Sequence, residues 1–197
     1  MSILQTTSEA EAVGATAAAY AADRAALGYV PSHTKVLAMN PEAFDAWKTL
    51  QSAIAGSMGM RRYELVTLAA ALGLGSRHCR LAHGNKALKF FDEQELLGIA
   101  RDYRNAGLNE EEIAMMDFAI KLSADSAAMD ESDSRRLRDL GFSDREIVDI
   151  TLAAAARNYL SRTLQALAVD VDMPPKLSEE MRGALLDPLD IRETAAD

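Results

Sequence analysis

The segment from Arg61 to Gly84 constrains the fold most, because it combines a long apolar run, a glycine turn and most of the reactive side chains. It reads RRYELVTLAAALGLGSRHCRLAHG. Alanine and leucine favour helix, and Gly73 and Gly75 interrupt the helical pattern. We therefore predict two consecutive helices joined by a short glycine turn, with the second helix beginning near Ser76.

The reactive side chains of this segment lie where two paired helices can bring them together. The first helix carries Glu64, and the second carries Cys79, the only cysteine of the chain, and His83. Cys79 and His83 are four residues apart and share a helix face. Cys79 falls in the first turn, where backbone N–H groups and the helix dipole stabilise an anion. A thiol there, with an imidazole to take its proton and a carboxylate to orient the imidazole, can form an activated nucleophile.

Each of these residues also has a plain structural interpretation. A lone buried cysteine often acts as a small hydrophobic residue, and Ser76 after a glycine turn is an ordinary helix N-cap. Glu64 can be a solvated residue at the edge of a helix, and His78 and His83 can be polar positions in a crowded first turn. The joint occurrence of these residue types in one segment is what favours a reactive site.

The order and spacing of these residues resemble the signature of the alkyl hydroperoxidase D-like, or carboxymuconolactone decarboxylase, family. Its peroxidase members carry a Glu, twelve residues later a Cys-x-x-Cys that includes a His, and a His four residues after the second Cys. The corresponding positions in this chain are Glu64, Ser76, His78, Cys79 and His83. The resemblance implies that Cys79 is the thiol that attacks a peroxide, and that Glu64, His78 and His83 form a proton relay.

The flanking sequences resemble the same family. They read GYVPSHTKVLAMNPEAFDAW before the motif and DLGFSDREIVDITLAAAARNYLSRTLQAL after it. The resemblance therefore covers roughly residues 27–172 and is closest to the longer members called peroxidase-related proteins. It implies the helical bundle of that family, and homo-oligomers that are trimers or hexamers.

Ser76 departs from the family pattern, because it replaces the first cysteine of the pair. No disulfide can form inside the motif, so a sulfenic acid at Cys79 would need a resolving thiol from elsewhere. That thiol could belong to Cys79 of another subunit, to a small molecule or to a protein partner. We expect the Ser76 side chain to hydrogen-bond the thiolate or to cap the helix.

The whole chain is predicted to be all-α, a single-domain helical bundle with paired helices around a Cys/His/Glu site. Hydrophobic residues make up 49% of the 197 residues and aromatics only 6%, which suits alanine-rich helices better than sheets. We expect an N-terminal helix within residues 1–26, capped by Ser8 and closed by Gly28. The main helical domain is expected over 27–172 and a C-terminal tail over 173–197. The tail is expected to hold a short helix from Ser178 to Leu186 and to pack on a neighbour or fray.

Two residues outside the motif have positions that the sequence predicts less directly. Trp47 follows Asn40-Pro41, a helix start, and recurs with other apolar residues at helical spacing, so we place it in the core. His33 follows Pro31-Ser32 and is expected in a surface loop or first turn. Its alternative position is at the mouth of a pocket.

Charge and cysteine content limit the classes of partner. The net charge of −9 argues against nucleic acid and anionic membranes as partners. A single cysteine excludes an internal disulfide framework and suits a reducing compartment. No apolar run approaches the ~18 residues of a membrane span, and the N-terminus lacks the pattern of a secretion signal. We therefore expect a cytoplasmic protein.

Four functions are compatible with these observations. The first is a thiol-dependent peroxidase that acts on hydrogen peroxide or an organic hydroperoxide through Cys79, without a cofactor or metal and with an external thiol or protein reductant. The second is a decarboxylase or isomerase of a small organic acid, in which a His and a Glu do acid–base work. The third is a metal site, which the divergent directions of His78 and Cys79 on one helix disfavour. The fourth is a helical scaffold whose site has decayed.

Overall fold

The computed structural model describes residues 3–194, with side chains as far as residue 190, and this part of the chain is all-α. The predicted all-helical fold is therefore confirmed. Within the described range there are ten α-helices and two 3₁₀ turns, Tyr103–Asn105 and Ser126–Ala128. The helices are α1 (Gly14–Leu27), α2 (Ser32–Leu37), α3 (Pro41–Met58), α4 (Met60–Gly73), α5 (Arg77–Ala87), α6 (Glu93–Asp102), α7 (Glu110–Ala124), α8 (Glu131–Asp139), α9 (Asp144–Ala166) and α10 (Glu179–Thr194).

Local side-chain capping sets where four of the helices begin. In each case the side chain before the helix accepts a hydrogen bond from the backbone three residues on, and the acid at that position bonds back to the cap. The capping pairs of α6 to α9 are Asp92 with Glu95, Asn109 with Glu112, Asp130 with Asp133 and Ser143 with Glu146. The starts of these helices therefore follow from residues that are neighbours in the sequence.

Helix α4 lies at the centre of the bundle. Residues 63–71 of this helix are all buried, and α4 packs against α5, α7 and α9. A helix that is apolar on all sides belongs in the interior, which explains the alanine- and leucine-rich sequence around Glu64. Because α5 follows directly and packs on α4, the two predicted halves of the motif lie side by side. None of the helices in residues 3–194 is long and apolar enough to cross a bilayer.

A buried arginine joins α5 to three other helices. Arg80 is 1% exposed, and its guanidinium donates hydrogen bonds to backbone carbonyls of α4, α6 and α10. The shortest is the 2.8 Å bond from Nη2 to the carbonyl of Ala100. Burial lowers the pKa of Arg80 to about 10, so the group stays charged at neutral pH. The residue after Cys79 is thus fixed in place by the surrounding backbone.

The N-terminal helix is shorter than expected, because it begins at Gly14 and not near Ser8. Residues 9–11 form a separate turn, and Ser8 Oγ donates a hydrogen bond to the Glu11 carboxylate instead of capping a helix. Gly14 has φ of +57°, a conformation that a glycine adopts without strain and that separates this turn from α1. The helix ends at Leu27, followed by Gly28 in the left-handed conformation, as predicted.

The C-terminal segment is not a loose tail. Helix α10 extends to Thr194, well past the expected end at Leu186, and packs on α5 and α6 of its own chain. Leu185 is fully buried against Gly84, where an added Cβ would lie 2.4 Å from Leu185 Cδ1. This close approach explains a glycine inside α5. The division of the chain at residues 26 and 172 stays a prediction, and residues 195–197 lie outside the described range.

The approach of α4 to α7 predicts opposite effects for two glycine substitutions. A Cβ on Gly73 would lie 2.7 Å from the backbone oxygen of Ile120, whereas a Cβ on Gly56 in α3 meets nothing within 4 Å. Gly73→Ala should lower the free energy of unfolding by about 1–3 kcal/mol, because the helices must separate. Gly56→Ala should raise it by about 0.5–1 kcal/mol through helix propensity. Urea unfolding followed by circular dichroism measures both; equal effects would contradict the close packing.

Candidate active site

Cys79 occupies the first turn of α5, where the sequence predicts it. Ser76 is the N-cap residue, and Gly75 has φ of +64°, which allows the chain to turn between α4 and α5. Cys79 is the third residue of the helix and is 3% exposed. The thiol therefore lies near the positive end of the helix dipole but away from bulk solvent.

The polar contacts of the sulfur come from α9, not from α5. Ser161 Oγ donates a hydrogen bond to Cys79 Sγ at 3.1 Å, and Arg157 Nη1 lies 3.7 Å from the same atom. Arg157 Nη2 also donates to the hydroxyl of Tyr63, on α4, at 3.3 Å. The guanidinium thus joins the sulfur to the central helix.

Arg157 is a buried cation whose nearest negative partner is the sulfur. It is 1% exposed, and no carboxylate within the described residues forms an ion pair with it. Burial lowers its pKa, but Cys79 and Tyr63 raise it, and the net pKa lies above the ordinary value of arginine. An uncompensated charge in an interior costs several kcal/mol, and the groups that accept hydrogen bonds from Arg157 are the Cys79 sulfur and the Tyr63 hydroxyl.

Glu64 and His83 form a buried pair. Glu64 Oε2 lies 2.6 Å from His83 Nδ1, and the two residues are 0% and 2% exposed. Burial raises the pKa of Glu64 to about 7 in spite of the cations Lys86 and Arg157. Burial also lowers the pKa of His83 well below its usual range, and Arg157 and Lys86 lower it further. At neutral pH the imidazole of His83 is therefore uncharged, and Glu64 is close to its midpoint between the protonated and the ionised form.

One cavity of about 180 Å³ brings the two parts of the site together. Cys79, His83 and Arg157 line it, and Glu64 lies behind His83. Because His83 Nδ1 is engaged with Glu64, Nε2 is the ring nitrogen available on the cavity side. The apolar part of the wall consists of Leu27, Phe44, Trp47, Leu160 and Leu164.

The other two histidines line the same cavity. For His33 this corrects the expected surface position. Its helix α2 is held by a distant residue, since Asp172 accepts 2.8 Å hydrogen bonds from the backbone N–H and the hydroxyl of Ser32. Burial lowers the pKa of His33 to about 4, although Asp23 and Asp172 raise it, so this ring is neutral at pH 7.

His78 bonds a backbone carbonyl, and Ser76 makes neither of its two predicted contacts, the bond to the sulfur and the helix cap. His78 Nε2 lies 2.7 Å from the carbonyl of Val169, and a carbonyl can only accept, so Nε2 carries a proton. A neutral His78 then offers only the acceptor Nδ1 to its other neighbours. Ser76 is buried at the N-cap position, but its side chain makes no capping hydrogen bond. Within the described residues the hydrogen bonds of Sγ come from Ser161 and Arg157 and not from Ser76.

The sequence prediction missed Arg157, Ser161 and Tyr63. A usable signal exists for the first two, because Arg157 is a charge inside the apolar run LAAAARNYL and Ser161 follows four residues later on the same face. Nothing local in the sequence indicates that this face contacts Cys79, 78 residues earlier. Among the side chains of residues 3–190, no three His, Cys, Asp or Glu are placed to hold a metal ion together.

Comparison with solved structures shows the same helical arrangement in peroxidase-related proteins. The structure called alkylhydroperoxidase AhpD core, an uncharacterized peroxidase-related protein from Ralstonia eutropha JMP134, has a TM-score of 0.76 at 21% identity, over 93% of this chain and 96% of that chain. A peroxidase-related protein from Silicibacter sp. TM1040 has a TM-score of 0.72 at 27% identity, over 80% of this chain and 84% of that chain. These similarities confirm the resemblance inferred from the motif.

A third structure with the same fold is an enzyme. The debrominase Bmp8, in complex with 2,3,4-tribromopyrrole, has a TM-score of 0.73 at 16% identity, over 95% of this chain and 100% of that chain. At this identity the similarity concerns the fold alone. Neither a protein-family model nor a curated protein matches the chain.

The buried Glu64 carboxyl predicts a pH-dependent loss of stability. Its pKa rises from 4.5 to about 7 on folding, so its contribution is fully present below pH 4.5 and is lost as the pH rises through 7. Between pH 4.5 and 8.5 the wild type should therefore lose unfolding free energy relative to Glu64→Gln, by on the order of 3 kcal/mol. Urea unfolding across this range measures it.

Glu110→Gln is the matched control, because Glu110 is exposed at the start of α7 and stays in water in both states. The difference in unfolding free energy between Glu110→Gln and wild type should stay nearly constant from pH 4.5 to 8.5. A flat profile for Glu64→Gln as well would mean that Glu64 is ionised in the folded protein throughout.

Proposed function

We propose that this chain, an alkyl hydroperoxidase D-like protein, is a thiol-dependent peroxidase that reduces hydrogen peroxide or an organic hydroperoxide through Cys79. The observation that carries the proposal is the buried guanidinium of Arg157, 3.7 Å from Sγ and without a carboxylate partner in the described residues. A negative sulfur would compensate the charge of this cation, and a thiolate is the nucleophilic form of cysteine.

Three features support the thiolate. Cys79 lies in the first turn of α5, near the positive end of the helix dipole. The Arg157 guanidinium supplies a positive charge in a site of low dielectric, where the attraction is stronger than in water. The Ser161 hydroxyl donates a hydrogen bond to Sγ at 3.1 Å. Together they stabilise the negative charge while the cavity keeps the sulfur accessible to a small molecule.

The Glu64–His83 pair supplies the proton transfers. The transfer starts from ionised Glu64 and from His83 protonated on Nδ1. When the thiol ionises, His83 Nε2 takes its proton, directly or through a water, and the proton on Nδ1 moves to the Glu64 carboxylate across the 2.6 Å hydrogen bond. A Glu64 pKa of about 7 suits a group that accepts and returns a proton near neutral pH. His83 Nε2 then carries a proton that it can donate to the leaving oxygen.

The peroxide step balances within these residues. The Cys79 thiolate attacks the outer peroxide oxygen, an S–O bond forms, and the O–O bond breaks. The sulfur is oxidised to sulfenic acid, and the inner oxygen leaves as alkoxide or hydroxide. This oxygen takes the proton from His83 Nε2, so that an alcohol or water is released, and Glu64 returns its proton to Nδ1.

The reducing half of the cycle needs an external thiol, because Ser76 provides none. That thiol attacks the sulfenic sulfur, forms a mixed disulfide and releases water, and a second thiol then regenerates Cys79. Since Cys79 is 3% exposed at a cavity of about 180 Å³, a small-molecule thiol reaches it more readily than Cys79 of another subunit or a protein thiol. Assembly into trimers or hexamers stays a prediction.

A second candidate function is acid–base chemistry on a small organic acid. The observation that favours it is that His83 is hydrogen-bonded to Glu64, while the hydrogen bonds of the sulfur come from α9. The pair could therefore move protons without the thiol. Replacing Cys79 separates the two functions, because Cys79→Ser should abolish peroxide reduction and leave acid–base turnover largely intact. Loss of both activities in a folded Cys79→Ser protein would exclude this second candidate.

The direct test of the proposal is formation of sulfenic acid at Cys79. Reduced protein is mixed with hydrogen peroxide or cumene hydroperoxide in the presence of dimedone, and the adduct is followed by mass spectrometry. We expect stoichiometric labelling of wild type and none of Cys79→Ser. Wild-type protein that remains a thiol at millimolar peroxide would refute the proposal and favour a scaffold role.

Arg157→Met should slow this labelling by about 10- to 100-fold, the effect of losing one charged hydrogen bond worth 1.5–3 kcal/mol. Arg162→Met is the matched control, because Arg162 is an exposed arginine on the same helix that bonds Asn158. It should label at the wild-type rate. Equal rates for the two variants would show that the guanidinium of Arg157 does not activate the sulfur.

A further inference from the structure

Lys86 is a cation of the cavity that the proposed reaction does not use. It lies seven residues after Cys79 and three after His83, so the three side chains share one face of α5. Lys86 is half-buried in the cavity wall, and burial lowers its pKa. Within the described residues its ammonium group forms no hydrogen bond or ion pair at 4 Å or less.

The other charged groups of the cavity already have partners. Arg157 contacts Cys79 and Tyr63. Lys48 pairs with Asp45 outside the cavity at 2.6 Å. The remaining charged group of the wall, Asp23, accepts a hydrogen bond from the Thr34 hydroxyl, and its charge raises the pKa of Lys86 without forming an ion pair with it. Lys86 is therefore the lining cation that a bound anion can pair with, in a protein whose net charge of −9 otherwise repels anions.

The opposite part of the wall is apolar. Phe44, Trp47, Leu160 and Leu164 line it. A cavity of about 150 Å³ holds benzene, so the 180 Å³ cavity can take a ring or a short branched chain. Seven helical residues separate the Cα atoms of Cys79 and Lys86 by a rise of about 10 Å. An anionic group and a reactive group would thus occupy different ends of one molecule.

We infer that the cavity takes small organic acids whose carboxylate pairs with Lys86 and whose apolar part packs against Phe44 and Trp47. The inference rests on the proposed function for the reacting group, and it narrows the substrate to a hydroperoxide that carries a carboxylate. The carboxylate is bound but not changed. The bonds made and broken at Cys79 are those of the peroxide step.

Binding can be tested without any chemistry. Trp47 is the only tryptophan of the chain and lines the cavity, so its fluorescence reports occupancy. We expect benzoate to change this fluorescence saturably, with benzamide, its uncharged isostere, at least tenfold weaker. Lys86→Met should remove the preference for benzoate, and Lys86→Arg should retain it. Lys89→Met, an exposed lysine one turn later, is the matched control and should behave as wild type.

A second measurement uses the reaction itself. Sulfenic acid formation is compared for cumene hydroperoxide and its para-carboxylated analogue. Lys86→Met should lower the ratio of the rate with the carboxylated peroxide to the rate with cumene hydroperoxide at least tenfold. The ratio is the readout because Lys86 also lowers the pKa of Glu64 and His83, an effect that both peroxides share. Equal binding of benzoate and benzamide to wild type, or a Lys86→Met protein that still prefers benzoate, would overturn the inference.

The two proposals fail in different ways. A benzoate preference that depends on Lys86, in a protein whose Cys79 never oxidises, would retain the carboxylate site and refute the peroxidase. Rapid oxidation of Cys79 by both peroxides, unaffected by Lys86→Met, would retain the peroxidase and refute the carboxylate site.

Discussion

The buried charge of Arg157 is the constraint on which the candidate site depends. A guanidinium removed from water must be compensated, and the groups that approach it are the Cys79 sulfur and the Tyr63 hydroxyl. These belong to α5 and α4, whereas Arg157 belongs to α9. One side chain therefore joins α4, α5 and α9 and places a positive charge beside the sulfur.

A second buried arginine shows how the same residue type serves a different purpose. Arg80 follows Cys79 in the sequence, yet its guanidinium bonds three backbone carbonyls and not the sulfur. The carbonyl oxygens accept its hydrogen bonds but carry no net negative charge to offset the guanidinium. Burial therefore lowers the pKa of Arg80 to about 10. Arg80 secures α5 against the bundle, so that the first turn presents Cys79 to Arg157 in a fixed orientation.

The site divides into a nucleophile and a proton relay that meet only at the cavity. Sγ receives its hydrogen bonds from α9, while His83 bonds Glu64 on α4. Burial raises the pKa of Glu64 to about 7, which makes the pair a proton carrier near neutral pH. Arg157 contacts the sulfur and also lowers the pKa of both Glu64 and His83, so the two halves are coupled through charge. Such a division suits a reaction in which one group is oxidised and another moves protons.

The sequence by itself determined the features that depend on near neighbours. The capping boxes that start α6 to α9, the position of Cys79 in a first turn and its shared face with His83 all follow from side chains within four residues of one another. Only the tertiary structure decided what surrounds the sulfur. Arg157 and Ser161 approach Cys79 from about 80 residues away, Asp172 holds the helix of His33, and α10 covers α5. Burial and the pairing of charges depend on which distant segments pack together, and helical periodicity carries no information about that choice.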